Sequence, residues 1–99
     1  MATITYTVTV ASGTNQYGTG NKFYINGEVS PVLYLQEGNT YIFDQSNSSN
    51  AVGGTHVLAF STTANGTHAV PAGTAYTTGV TTTGTPGTAG ANTTIVVAP

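Results

Sequence analysis

The chain has 99 residues, and only four of them carry a charge at pH 7: Lys22, Glu28, Glu37 and Asp44. An ordinary soluble domain has about 25% charged residues, so hydroxyl and amide groups, rather than charge repulsion, must keep this chain in solution. A net charge of −2 with a single basic residue excludes a nucleic-acid partner, because phosphate binding depends on several Lys or Arg side chains.

The clearest predicted strand opens the chain. From residue 3 to residue 10, Thr at every odd position alternates with Ile, Tyr or Val, which is the period of a half-buried strand. Residues 11–21 are rich in Gly, Asn and Ser and break this pattern, which resumes over residues 22–25. Asn26 and Gly27 then favour the positive φ angles of a tight turn, so we predict a hairpin here.

The rest of the chain has the pattern of short strands separated by turns and loops. Pro31 has no amide proton to donate, and we expect it to start a strand rather than interrupt one. Further strands are predicted at residues 32–35, 40–44, 56–60 and 94–97, with a weaker one around 76–83. Residues 45–54 and 61–68 are polar loops, and residues 77–94, rich in Thr, Gly and Pro, are typical of a packed irregular connection.

The fold class follows from these elements. No segment shows the 3.6-residue apolar period of an amphipathic helix, and the length and 38% hydrophobic content suit one small core. We therefore predict a single all-β domain over residues 1–99. The expected architecture is a small antiparallel Greek-key β-sandwich or barrel, cupredoxin-like or immunoglobulin-like.

Three stretches carry a family resemblance. GNKFYINGEVSPVLYLQEGNTYIFDQSNSSN (residues 20–50) and HVLAFSTTANGTH (residues 56–68) resemble the cupredoxin-like modules of structural proteins in tailed phages, especially cyanophages. YTTGVTTTGTPGTAGANTTIVV (residues 76–97) is similar to the continuation of that module. The resemblance covers most of the chain and implies a cupredoxin-like sandwich in a virion protein.

The resemblance also implies a missing segment. In copper-binding cupredoxins, a His in the position of His56 ligates the metal, and the other ligands come from a segment after the last strand, which is absent here. Type 1 copper requires a thiolate and two imidazoles, whereas this chain has no Cys and only His56 and His68. Copper electron transfer is therefore excluded, and we expect no cofactor.

The same truncation predicts an interface. The missing segment would ordinarily cover one edge of the sandwich, and an open edge is a template for a strand from a neighbouring chain. We expect the C-terminal edge to pair with a second copy or a partner that completes the sandwich. The candidate interface residues are Thr94, Ile95, Val96 and Val97.

No catalytic set is recognisable in the sequence. His56 and His68 lack a third metal ligand at a regular spacing. The three acidic residues lie beside predicted turns or strand ends, and no Ser occupies a nucleophile elbow. We therefore expect no enzymatic activity and no metal site.

The tyrosines leave two interpretations open. Most aromatic side chains on the predicted strands are expected in the core, because a small sandwich needs large side chains between its sheets. Tyr24, Tyr34 and Tyr41 could instead form an exposed platform that stacks on a sugar or anchors an interface, since tyrosine combines contact area with a hydroxyl.

Localisation is inferred from composition and from the N-terminus. Residues 1–10 lack the basic and continuous apolar regions of a secretory signal, and no apolar stretch approaches the roughly 18 residues that span a bilayer. The low charge and abundant Thr and Gly nevertheless suit an exposed extracellular protein. A phage protein satisfies both observations, because it is made in the host cytoplasm without a signal and released by lysis.

The first functional hypothesis is therefore a capsid decoration (cement) protein on the outer surface of a tailed bacteriophage. Its expected partners are the major capsid protein and further copies of this chain, with no nucleic acid and no membrane. One alternative is a carbohydrate-binding or adhesion module on a cell surface or phage fibre, which glycan binding would reveal. Another is a self-assembling extracellular filament subunit, which electron microscopy would reveal.

Overall fold

The computed structural model describes residues 2–15, 18–29, 31–52, 54–62 and 74–98. Within these ranges the chain is nearly all-β and compatible with a small β-sandwich, which confirms the predicted fold class. The strands are β1 (Thr3–Asn15), β2 (Gly18–Ile25), β3 (Glu28–Val29), β4 (Thr40–Asp44), β5 (Phe60–Ser61), β6 (Ala75–Tyr76), β7 (Val80–Thr83) and β8 (Asn92–Val96). One turn of 3-10 helix at Ser48–Ala51 follows β4.

Six strands form the main sheet, in the order β3-β2-β1-β4-β8-β7, and β5 pairs with β6 in a small second sheet. All neighbours are antiparallel except β1 and β4, which run parallel from the Thr3–Thr40 pair to the Thr7–Asp44 pair. The sheet is therefore mixed, whereas the sequence analysis expects antiparallel pairing. The reason is the long connection between β1 and β4, which returns the chain in the direction of β1 as a crossover does.

The core lies on one face of the six-stranded sheet. Val8 and Phe43 are 0% and 1% exposed at its centre. The Tyr6 ring stacks on Tyr41 and Phe43, with ring centroids 6.1 and 5.2 Å apart, and Phe60 meets Phe43 edge-on at 5.4 Å. Such aromatic pairs contribute about 0.5–1.5 kcal/mol each beyond their burial, and the Phe43–Phe60 pair joins the sheet to the layer above it.

A second layer crosses this face of the sheet. It consists of the extended residues 31–36, the 3-10 turn, the segment 55–59 and the small β5–β6 sheet. Leu33, Leu35, Leu58 and Phe60 pack from this layer onto the core.

Three buried polar side chains, which we call the polar clamp, join the two layers: Gln45, Asn50 and Thr93. The Gln45 amide donates to Asn50 Oδ1 at 3.0 Å and accepts from the Leu58 backbone N–H at 2.9 Å. Thr93 Oγ1 donates to the Leu58 carbonyl, and Asn50 Nδ2 donates to the Val8 carbonyl, both at 2.9 Å. In the described part of the chain every buried side-chain polar atom has a partner, so the clamp fixes the layers in one arrangement.

The first hairpin is longer than the alternation predicts. β1 continues through residues 11–15 and pairs with β2 along that whole stretch. The alternation of apolar and polar residues ends before the strand does, because Gly13 and the residue opposite it, Gly20, have no side chains. A Cβ on Gly13 would lie 2.6 Å from the hydroxyl oxygen of Tyr24, so the tyrosine ring takes the place of the missing side chain.

Two predicted strands are wrong in whole or in part. Residues 32–35 form no strand, and of residues 56–60 only Phe60 belongs to one. Over residues 56–59 the polar clamp takes the place of a neighbouring strand, because the Leu58 N–H and carbonyl bond to side chains of Gln45 and Thr93. Residues 32–35 have no strand beside them among the described residues.

The predicted open C-terminal edge is also wrong. The last strand, β8, lies inside the sheet, with β4 on one side and β7 on the other, so Thr94, Ile95 and Val96 already have strand partners on both sides. Val97 donates its N–H to the Asn39 carbonyl at 3.0 Å. The outer position is taken by β7, which lies within the weaker strand predicted around residues 76–83 and pairs with β8.

Candidate functional site

An apolar groove of about 600 Å³ lies between the main sheet and the second layer. Its floor includes Phe43, which is 1% exposed, and Leu58, which is 8% exposed. One wall is formed by residues 21–23 and 25 of β2, and the other by residues 31, 33 and 35 together with 59 and 60. The groove therefore reaches the core of the domain from outside.

The groove is apolar except at one rim. Asn21 and Lys22 are the only polar residues among those that line it, and Lys22 is the only Lys or Arg in the sequence. Pockets of about 300–1,000 Å³ lined mainly by apolar side chains are typical of binding sites. This groove is the candidate functional site.

Two segments near the groove have backbone groups without partners among the described residues. β3 covers β2 only at Tyr24 and Ile25, so residues 18–23 of β2 pair with β1 alone. In the second layer, the peptide groups of residues 32–35 have no hydrogen-bond partner among the described residues. Peptide groups left unpaired beside an apolar surface are a template for another extended chain.

The segment opposite β2 also exposes its outward side chains. Leu33 and Leu35 point inward, while Val32 and Tyr34 are 77% and 88% exposed. This alternation is that of a strand with one face on a core. The outward face of the segment therefore presents two large apolar side chains to whatever lies beside it.

The outer face of the main sheet is nearly uncharged. Thr5, Ile42, Thr94 and Thr81 form one row across β1, β4, β8 and β7. The next row contains the single charged residue on these four strands, Asp44. This face therefore offers hydroxyl groups and methyl groups but little charge.

The three candidate tyrosines do not share a surface. Tyr41 is 3% exposed and packs in the core, where its hydroxyl accepts from the Gln36 N–H at 2.7 Å. The Tyr24 hydroxyl donates to the Ser12 carbonyl at 2.8 Å. Of these three tyrosines, Tyr34 alone projects fully from the surface, so the three do not form a platform.

Among the described residues, His56 and the acids form no cluster. His56 Nε2 donates to the Val52 carbonyl at 2.8 Å, and His68 lies outside the described residues. No group of three His, Cys, Asp or Glu residues that could hold a metal occurs within the described ranges. Glu28 and Glu37 are exposed, which leaves Asp44 as the acid with the most structural involvement.

Asp44 stabilises the turn that follows β4. Its Oδ1 accepts from the Ser46 N–H at 2.8 Å. Hydrogen bonds from the Ser46 side chain and backbone hold the pKa of Asp44 below its usual value of 3.8, against the opposing effect of its partial burial. Asp44 is therefore an ionised structural residue at neutral pH, and its low pKa does not suit a general acid.

Comparisons with protein families, with characterised proteins and with solved structures find no match to this chain. No helix in the part of the chain that the structure describes is long and apolar enough to cross a membrane.

The groove has no recognisable signal in the sequence. Phe23, Leu33, Leu35 and Phe60 look like ordinary strand core residues in the sequence, and nothing in their spacing shows that the strands bearing them stand apart. One signal was available: Pro31 is followed by a strand-like VLYL pattern. That pattern predicts a strand, and the structure shows the segment without a strand neighbour among the described residues.

Proposed function

We propose that this protein is a non-enzymatic structural subunit of a tailed-phage virion, and specifically a capsid decoration protein. The observation that carries the proposal is the exposure of Val32 and Tyr34, at 77% and 88%, on a chain with four charged residues. Monomers that remain free in solution rely on surface charge to oppose association. A chain with so little charge and such exposed apolar groups suits a protein covered by neighbours.

The outer face of the main sheet gives further support. Its rows of Thr hydroxyls can each donate and accept hydrogen bonds, and its methyl groups, with Val96 50% exposed, add apolar contact. Such a surface adapts to a neighbouring protein without charge complementarity. Within the described ranges no cluster of catalytic or metal-binding side chains competes with this interpretation.

The structural interpretation is favoured over a glycan-binding module. A stacking platform requires aromatic faces open to the ligand, and Tyr41 is buried while the Tyr24 hydroxyl is engaged. A filament in which β8 pairs with a strand of the next subunit is disfavoured too, because β8 already has a strand partner on each side.

Fractionation of virus particles tests the proposal. Tagged protein would be produced during infection by the phage that carries the gene, and particles would be separated on a density gradient and analysed by mass spectrometry. We expect the protein in the same fractions as the major capsid protein. Protein that stays at the top of the gradient, or that forms fibres alone in electron micrographs, would contradict a decoration role.

A matched pair of variants links this test to the structure. Tyr34→Asp places a charge on the exposed apolar segment and should reduce the amount bound to particles. Gln36→Asp, at an exposed position two residues away, introduces the same charge beside the apolar pair and should have a smaller effect. Equal loss in both variants would argue against a specific contact at Tyr34.

A further inference from the structure

We propose that the outer edge of β7 is a contact surface for a second copy of this chain, so that two main sheets join edge to edge around a two-fold axis. The inference deepens the proposed function, on which it rests for its biological setting, because it names a surface through which neighbouring copies touch. The contact itself can be measured on the purified protein.

β7 leaves one row of backbone groups open. In an antiparallel pair, only alternate residues hydrogen-bond to a given neighbour. The Val96 N–H donates to the Gly79 carbonyl at 2.9 Å, which sets the phase of the pairing between β7 and β8. Two residues further on, Thr81 lies opposite Thr94 and therefore bonds toward β8. The N–H and carbonyl of Thr82 point away from β8, and neither has a hydrogen-bond partner among the described residues.

The described part of the second layer stops short of β7. The Thr82 side chain lies on the same face of the sheet as its β8 partner Thr93. Thr93 is 0% exposed, whereas Thr82 is exposed. Thr81 and Thr83, on the outer face, are exposed as well. Both faces of β7 are therefore open, and an added strand would meet side chains as well as peptide groups.

The edge lacks the features by which proteins discourage pairing between copies. Exposed edge strands usually carry charged side chains, proline or a bulge. β7 has the sequence VTTT and pairs with β8 in unbroken register, and no Asp, Glu, Lys or Arg follows Asp44 in the chain. At the opposite edge of the sheet, β3 has two residues, and one of them is Glu28. Two copies joined through β3 would bring like charges together, whereas two copies joined through β7 would not.

The hydrogen-bonding pattern of β7 is self-complementary. When two copies lie antiparallel with their Thr82 residues opposite each other, each Thr82 N–H can donate to the other Thr82 carbonyl. The same register places Thr81 opposite Thr83 of the second copy, and such Thr–Thr pairs across strands stabilise a sheet. Because β7 meets its own requirements, we assign the contact to a second copy.

The symmetry and size of the contact define the expected assembly. A contact in which the same surface is used by both copies closes on itself, so it gives a dimer and not a fibre. An edge of four residues is small beside the interfaces of stable dimers. We therefore expect a weak dimer that is populated where the local concentration is high, as it is on the surface of a particle.

Disulfide trapping tests the register. The chain has no cysteine, so a Thr82→Cys variant can link two copies only through that position. Hydrogen-bonded antiparallel pairs have Cα atoms about 5.5 Å apart, which a disulfide can span. Thr83→Cys is the matched control, because residue 83 is also exposed but lies two residues out of register with residue 83 of the second copy. With oxidised glutathione, Thr82→Cys should form a covalent dimer several-fold faster than Thr83→Cys, and equal rates would overturn the proposal.

Charge exchange at the same position tests the contact by restoring it. Thr82→Lys and Thr82→Glu each place like charges opposite one another in the dimer, which destabilises a cross-strand pair. In sedimentation velocity, each variant alone should be monomeric at concentrations where the wild type associates, and an equimolar mixture of the two should associate again. Thr5→Lys, which adds the same charge at an exposed position of β1, is the control and should associate like the wild type. The proposal fails if the mixture stays monomeric or if the wild type shows no association at millimolar concentration.

Amide hydrogen exchange of the wild-type protein identifies any other occupant of the edge. Exchange of the Thr82 amide should slow as the protein concentration rises, while that of the Leu33 amide, which also lacks a partner among the described residues, should not change. Protection of Thr82 that is independent of concentration, or that arises only in virus particles, would contradict a contact between copies. Particle association can persist in each of these cases, so failure here is distinguishable from failure of the proposed function.

Discussion

At the scale of single residues, Gln45 joins the two layers of the domain. Its amide nitrogen donates to Asn50 Oδ1 and to the His56 carbonyl, at 3.0 and 2.6 Å, and its oxygen accepts from the Leu58 N–H. A buried amide with this many partners has no replacement of the same shape that satisfies them all. Nothing in the sequence distinguishes Gln45 from its polar neighbours, because its burial arises only when the loop folds under the second layer.

Replacing Gln45 tests the polar clamp. Gln45→Leu keeps the volume but leaves the Leu58 N–H and the His56 carbonyl without partners, and each buried unpaired group costs about 1–3 kcal/mol. We expect the free energy of unfolding, measured by urea denaturation, to fall by about 3 kcal/mol. Gln36→Leu, at an exposed position, is the control and should change it by less than about 0.5 kcal/mol. Equal losses would show that the clamp contributes no more than a surface amide.

The pKa of Asp44 predicts how stability depends on pH. Because hydrogen bonds from Ser46 lower the pKa of Asp44 in the folded protein, the charged form stabilises the fold at pH values above the unfolded pKa of 3.8. This contribution is lost as the pH falls through the lower, folded pKa. We expect thermal unfolding of the wild type to lose stability over that acidic range and Asp44→Asn to lose less. Parallel curves for the two proteins would contradict the assignment.

At the scale of elements, the turn before β7 determines how the sheet ends. Gly79 has a φ of 70°, its carbonyl accepts from the Val96 N–H at 2.9 Å, and a Cβ at this position would collide with the Val96 carbonyl oxygen. Glycine is therefore required here for its conformation and for the close approach of β8.

Two alanine substitutions separate these requirements. Gly79→Ala should be destabilising by both the positive φ and the collision, whereas Gly38→Ala, with a φ of 81° and open space around a Cβ, tests the positive φ alone. We expect Gly38→Ala to cost about 1 kcal/mol and Gly79→Ala clearly more, as measured by chemical denaturation. If Gly38→Ala proved the more damaging, the close approach of Gly79 to β8 would be wrong.

Elements with their own local signal could be predicted from the sequence. The Asn26-Gly27 turn is confirmed, with φ angles of 50° and 86°, and β4 matches the predicted residues 40–44. The parallel pairing of β1 with β4 and the position of β7 outside β8 could not be predicted. They depend on contacts between residues far apart in the chain, which a local pattern does not contain.

At the scale of the whole molecule, the low charge makes a prediction about salt. Raising NaCl from about 0.1 M to about 1 M shortens the Debye length from about 10 Å to about 3 Å and weakens contacts between charges. Since the chain has four charged residues, association with particles should be nearly unchanged over this range in a sedimentation assay. Release at high salt would show that charge, rather than the apolar and hydroxyl surfaces, holds the protein.

The candidate site is the part of the molecule that the sequence predicts least well. The uncharged surface follows from composition, and Tyr34 is one of the candidate interface residues that the sequence predicts. The groove could not be predicted, because it is a gap between β2 and the second layer rather than a motif. The residues that face such a gap are apolar like ordinary core residues, so the sequence does not show that a neighbouring strand is missing.

Hydroxyl-radical footprinting of Tyr34, in the free protein and in purified particles, tests the central claim most directly. The claim is that this chain functions by being covered, at its exposed apolar segment, by other proteins. We predict that Tyr34, 88% exposed in the isolated chain, is oxidised several-fold more slowly in particles, while half-buried Tyr24 changes little. Oxidation of Tyr34 at the same rate in both samples would contradict the account.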